Sequence, residues 1–200
     1  MPGNRHPYRD PTFLLTASDG RRSDALTEPR PSGSDLLNCQ RNSVTLPKPP
    51  VLVLGVGNAL LGDDGAGLLV LAELERDAAH WAGQVEFLDG GTQGLALLDR
   101  IASRRVLLVL DAVALGAEPG TVHVLRGWSH AGERASTAHE SNVAELLQAS
   151  TLLGECPEQV TVIGIEPEKI GTGIGVSDAV AEGVREAVEA ARRELAGSLI

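Results

Sequence analysis

Residues Val51 to Gly67 read VLVLGVGNALLGDDGAG, an apolar run that breaks into glycines and ends at two adjacent carboxylates. Val51 to Leu54 is too short for a helix of its own and reads as a buried strand. Gly55, Gly57 and Gly62 permit backbone angles that residues with a Cβ avoid, and Asp63 and Asp64 stand where the next helix should begin. In open α/β sheets ligands bind outside the carboxyl ends of the strands, so position alone makes this polar cluster a site candidate.

Downstream of this segment, short apolar runs alternate with helical patterns, the signature of a layered α/β domain. Strands are expected near 51–55, 84–88, 105–110, 121–125 and 159–165, and helices near 64–79, 93–102, 140–153 and 178–196. The last helix is marked by Val180, Val184, Val188, Ala191 and Leu195 at three- and four-residue steps, opposite a face of Glu and Arg. Ala112 to Gly120 is too short for a helical crossover, so the strands on either side of it are not parallel neighbours. The expected fold is three-layer α/β: a twisted, mostly parallel, mixed five-stranded sheet with helices on both faces and one antiparallel edge strand.

Upstream, residues 1–50 are rich in Pro, Arg, Ser, Asp and Asn and show little apolar periodicity. Such a segment buries too little surface to offset its ordering entropy, and we read it as a flexible extension. Pro47-Lys48-Pro49-Pro50 marks its boundary with a domain at 51–200, because consecutive prolines favour an extended linker. Charge divides the same way: residues 1–50 carry a net +2 and residues 51–200 a net −12. An acidic domain with 2% aromatic residues argues against a nucleic-acid partner, which needs clustered positive charge and stacking platforms.

The apolar stretches are strand-length, so no membrane insertion is expected. Phe13-Leu14-Leu15 is far short of a signal-peptide core, and Arg21-Arg22 lacks the hydrophobic segment of a twin-arginine signal. Cys39 and Cys156 are isolated thiols without a CxxC pair, which indicates neither a disulfide framework nor a structural zinc site. The cytoplasm is the expected compartment.

Gly55-Val56-Gly57 after a first strand suggests a dinucleotide-binding turn with Asp89 as the ribose-binding acid. However, Leu60 occupies the third glycine position, and Asp63 and Asp64 place negative charge where a pyrophosphate needs a helix N-terminus. Asp89 also lies well beyond the usual spacing of about 20 residues. Three other polar positions share one theme. Asp64, Asp111 and His139 each sit at the edge of an apolar element, and two carboxylates with an imidazole suit a divalent ion such as nickel or zinc. Each residue also has a plainer reading. Asp63 or Asp64 can cap a helix, Asp111 can accept backbone hydrogen bonds in the turn that follows, and Thr137 and Glu140 have capping-box spacing around His139.

In order along the chain, GVGNALLGDDGAG, FLDGGTQG, LLVLDAV, a histidine before an amphipathic helix, and VIGIEPE together resemble the nickel-iron hydrogenase maturation proteases. The resemblance spans roughly Val51 to Leu195. It implies an endopeptidase, grouped with the aspartic type, that removes the C-terminal peptide from the nickel-loaded precursor of a hydrogenase large subunit. It also implies that Asp64, Asp111 and His139 contact the nickel carried by that precursor and take part in catalysis. Zinc or another divalent ion would fit the same set in isolation. The Asp89, Gly90, Gly91 and Thr92 loop corresponds to a substrate-recognition element, although those glycines also suit a tight turn.

Two other readings use the same residues differently: a metal-binding chaperone that holds the precursor without cutting it, and a nucleotide-binding α/β enzyme. Because the inferred core begins at Val51, deletion of residues 1–46 is expected to leave a domain that unfolds cooperatively in urea and keeps its activity; a broad, non-cooperative transition would place the boundary elsewhere.

Overall fold

Strand β1 (Val51–Val56) is buried along its whole length, as a strand covered on both faces must be. It pairs in parallel with β2 (Val85–Gly91) on one side and β3 (Val106–Ala112) on the other. β5 (Gln159–Ile165) runs parallel to β3, and β4 (Val122–Arg126) closes that side antiparallel to β5. The order β2-β1-β3-β5-β4 is a mixed five-stranded sheet with one antiparallel edge, as expected. The computed structural model describes residues 48–127 and 140–199, with side chains from Val143 onward in the second stretch. The expected extension at 1–50 therefore lies outside the described residues, apart from Lys48 to Pro50, and so does His139.

Strand alternation sorts the core into two layers. Val51, Val53, Leu108 and Leu110 face α1 (Ala66–Glu75) and α4 (Asp178–Ser198), which buries Val180, Val184, Ala187, Val188 and Leu195. Leu52, Leu54, Leu107 and Val109 face the other layer, where α2 (Leu98–Ile101) and α3 (Glu140–Leu152) contribute Ile101, Val143, Leu146 and Leu147. Ser177 caps α4 by accepting from Val180 N at 3.4 Å. Among the described residues, no helix is long and apolar enough to cross a membrane.

The helix ends differ from the sequence reading for tertiary reasons. The expected helix at 64–79 divides into a 3-10 turn at Asp63–Gly65, α1, and a second 3-10 turn at Ala78–Trp81. α1 stops before Asp77, whose carboxylate accepts from Arg192 of α4. The expected helix at 93–102 becomes a 3-10 turn, Gly94–Leu97, followed by the single turn of α2, bounded by positive φ at Gly94 (51°) and Ser103 (62°). β2 runs three residues past its expected end. A register shift opposite Gly55 and Val56 bulges Gly90 and lets Gly57 N bond Gly91 O at 3.1 Å.

The chain reaches β1 through an anchored segment. Pro50 O accepts from Arg105 N and Val106 N, at 2.9 and 3.1 Å. Buried Arg104 donates to Pro49 O at 2.6 Å, to Arg100 O at 3.0 Å and to the Glu86 carboxylate. Burial alone would push Glu86 up, but Arg104 and Arg100 outweigh it and hold the carboxyl below its usual range.

At the other end of the sheet, α1 starts in direct backbone contact with the strands. A Cβ on Gly67 would lie 2.2 Å from Leu110 O and 2.6 Å from Val56 O. Gly67→Ala is thus expected to cost about 3 kcal/mol in urea unfolding, the upper range for overpacking. Gly197→Ala, with open space around it, should instead add roughly 0.5–1 kcal/mol by helix propensity.

Candidate functional site

Each parallel strand delivers an acid to the same edge of the sheet. Asp63 and Asp64 follow β1, Asp89 lies near the end of β2, Asp111 near the end of β3, and Glu166 directly follows β5. Asp63, Asp64, Asp111 and Glu166 are all buried, which carboxylates tolerate only when they are paired, hydrogen-bonded or bound to a cation.

Asp64 is brought into place by the glycine at the end of β1. Gly57 has φ 127°, and a Cβ there would lie 1.9 Å from Asp64 O, so the 3-10 turn rests directly on the strand end. Asp64 Oδ2 accepts from Asn58 N at 2.8 Å, which folds the intervening loop around its own carboxylate. Asp111 Oδ1 accepts from Ala112 N at 2.8 Å. By strand alternation Asp111 lies on the face of Leu107 and Val109, the layer closed by α3. The structure thus brings Asp64 and Asp111 to the exits of two adjacent central strands. His139 lies outside the described residues; α3 begins at Glu140, the next residue.

Asp63 does not cap α1, whose N-cap is Gly65. Instead it reaches across to the chain after β5. Its Oδ2 accepts from Glu168 N and Lys169 N, both at 2.9 Å, and from Ser177 Oγ at 3.1 Å, while Oδ1 accepts from Ser177 N at 2.6 Å. Burial would raise its pKa, yet these donors, led by Ser177 N, outweigh burial and hold Asp63 below its ordinary value. Glu166 does the same for the turn after β3. It accepts from Leu115 N at 2.8 Å and Gly116 N at 2.9 Å, with His123 Nε2 at 3.2 Å. Here too burial pushes up and the backbone donors, aided by His123, bring the carboxyl below its usual range.

Sequence reasoning gave neither Asp63 nor Glu166 this role. An acid directly after a buried strand was the signal available for Glu166, the same one that marks Asp111.

The Asp89-Gly90-Gly91-Thr92 segment forms the rim on the β2 side. Asp89 and Thr92 are exposed, and Asp89 Oδ1 accepts from Gly91 N at 2.9 Å, an Asx-type turn. Gly90 is buried because a Cβ there would lie 2.7 Å from Leu54 Cδ1. Among the described residues, no three His, Cys, Asp or Glu side chains gather as a metal site. A depression of about 290 Å³ lies at the opposite, amino edge of the sheet. Its Glu194 is paired with Arg126, and Cys156 and Glu158 also line it.

With this geometry in hand, comparison with known proteins decides the family. The hydrogenase maturation protease family matches residues 69–194. The chain belongs to that family. Its relatives include a hydrogenase expression/formation protein of Thiocapsa roseopersicina, 34% identical over 154 residues, 74% of this chain and 68% of that protein. The hydrogenase 2 maturation protease of Escherichia coli K12 is 36% identical over 150 residues, 72% of this chain and 91% of its own length. Among solved structures, the hydrogenase maturating endopeptidase HybD from E. coli superimposes with a TM-score of 0.64 at 32% identity, covering 74% of this chain and 93% of that one. The [NiFe] hydrogenase maturation protease HybD from Thermococcus kodakarensis gives a TM-score of 0.58 at 29% identity, over 72% and 97% respectively. The buried acids at the head of α1 set this maturation-protease fold apart from a nucleotide site, where a pyrophosphate would meet the helix start.

Asp63→Asn is expected to cost roughly 3 kcal/mol at pH 7, because it removes a charged acceptor shared by four donors. The folded pKa lies below the ordinary 3.8, so this stabilisation is complete above that value and is lost as pH falls through the lowered one. Urea melts of both proteins carried from pH 7 to below 3.8 should therefore show a constant gap above that value that narrows beneath it; a gap that does not narrow would show that Asp63 contributes without its charge.

Proposed function

We propose that this chain is an endopeptidase of the aspartic-type grouping that removes the C-terminal peptide from the nickel-loaded precursor of a nickel-iron hydrogenase large subunit. The observation that carries the reading is the pair of buried carboxylates, Asp64 and Asp111, at the exits of adjacent central strands in a hydrogenase maturation protease fold. In this reading the two acids and His139 receive the nickel that arrives with the substrate, and the metal registers the scissile bond against them. The Asp89 to Thr92 rim, exposed at its two ends, contacts the polypeptide beside the acids. A carboxylate in contact with the attacking water serves as general base, and a cation held beside the scissile carbonyl polarises it. Asn58 N and Ala112 N each hold one oxygen of Asp64 and Asp111, which orients the two carboxyl groups at the strand exits. Two isolated thiols without a disulfide framework are compatible with this processing taking place in the cytoplasm.

The test is the intact mass of the precursor, with and without nickel, after incubation with the full chain and with its His139→Ala and Asp111→Asn variants. We expect nickel-dependent loss of a C-terminal peptide, slowed at least about a hundredfold in either variant, the lower range for a removed acid–base group. A nickel-loaded precursor that binds yet keeps its full mass would make the chain a chaperone. One that is cut equally well by His139→Ala would remove that residue from the site.

A further inference from the structure

Among the described residues, nine large hydrophobic side chains stand exposed, and five of them lie at the carboxyl edge: Leu60, Leu95, Leu115, Ile170 and Ile174. The segment after each of the four parallel strands supplies at least one. Scattered exposed aliphatics are ordinary, but five of the nine on the exit loops of one sheet edge, the edge that also carries the buried acids, single out that edge.

Its densest part is built by two chain segments held together. Leu61 bridges Gly173 in parallel and Gly62 bridges Ile170 antiparallel. Gly173 N donates to Leu60 O at 3.0 Å, Gly171 N to Leu61 O at 3.2 Å and Gly62 N to Gly173 O at 3.1 Å. Asp63 fastens the same two segments from beneath. Leu60 is 64% exposed, Ile170 43% and Ile174 92%, so three aliphatic groups project from two bonded segments, one leading into Asp63 and Asp64 and the other following Glu166.

We propose that Leu60, Ile170 and Ile174 form the docking platform for an aliphatic, extended stretch of the precursor polypeptide beside the scissile bond, an inference that rests on the protease reading above. Leu60 stands in the same β1–α1 loop as Asp64, four residues before it, and that loop is the one bonded to the segment at 170–173. The platform's framework is already hydrogen-bonded, so binding does not have to pay for ordering the loop. A second copy of this chain is the poorer occupant, because a stable dimer face uses roughly 20–30 residues per side and this one offers three. Charge points the same way, since a domain of net −12 repels its own copy and admits a neutral or basic segment.

The experiment compares full-length wild type with Ile174→Ser and with the Leu60→Ser/Ile170→Ser/Ile174→Ser triple variant on nickel-loaded precursor. The triple variant is expected to raise KM about tenfold with kcat within twofold, the pattern of lost ground-state binding. Ile174→Ser alone, which removes almost no buried contact, should raise it about threefold and keeps the test decisive should the triple variant unfold. An unchanged KM in a folded variant, or a fall in kcat alone, overturns the platform. So does a wild-type dimer in sedimentation that the triple variant dissolves. If wild type binds the precursor without shortening it, the protease reading fails, while the Kd of wild type against the triple variant still decides the platform.

Discussion

The site depends on a backbone contact that only glycine allows. At Gly57 and Gly67 the turn after β1 and the first turn of α1 rest on the ends of β1 and β3 with no room for a Cβ. This close approach brings the Asp63-Asp64 pair down onto the strand ends and removes it from water. Burying carboxylates is costly, and the fold offsets the cost with backbone N–H groups. The cost recurs at the exits of β3 and β5, where Asp111 and Glu166 are buried, while Asp89 at the exit of β2 stays exposed.

The four buried acids divide into two kinds of work. Asp63 and Glu166 accept from donors 50 to 114 residues away in sequence and so hold together loops that meet only in the folded state. Asp64 and Asp111 take donors six residues away and next door, from Asn58 and Ala112, contacts that orient a carboxylate at its own strand exit. Loss of a long-range staple should loosen the cleft wall and lower global stability. Loss of Asp64 or Asp111 should, in the function proposed above, chiefly affect processing of the precursor. Neighbouring residues of the same type, Asp63 and Asp64, therefore serve different ends.

Much of the architecture was legible because central strands buried on both faces leave uninterrupted apolar runs, as in VLVL and VLLVL. The antiparallel edge was legible from the length of one loop. The helix ends were not, since they are set by partners distant in sequence: Arg192 for the end of α1, and the strand ends for its beginning. The site divided in the same way. Asp64 and Asp111 were marked by their place after an apolar run, whereas the role of Asp63 depends on Ser177 and Lys169, which no local pattern connects to it. Gly90 shows the converse case. Its neighbours suggested a tight turn, which is present, yet Gly90 is also a packing position against Leu54.

Recessed acids under an aliphatic rim form an unusual combination for a small-molecule site, where apolar walls commonly enclose the ligand and polar groups fix its orientation. Here the apolar groups face outward on several exit loops, and the carboxylates lie below them. A partner that satisfies both layers must present apolar polypeptide and a cation together, at a fixed separation. A free metal ion would engage only the lower layer, and an unloaded polypeptide only the upper one. Each alone would forgo part of the binding energy that their joint arrival supplies. Under the function proposed above, the same layered arrangement that buries the acids would give a physical basis for acting on a precursor only after its metal is in place.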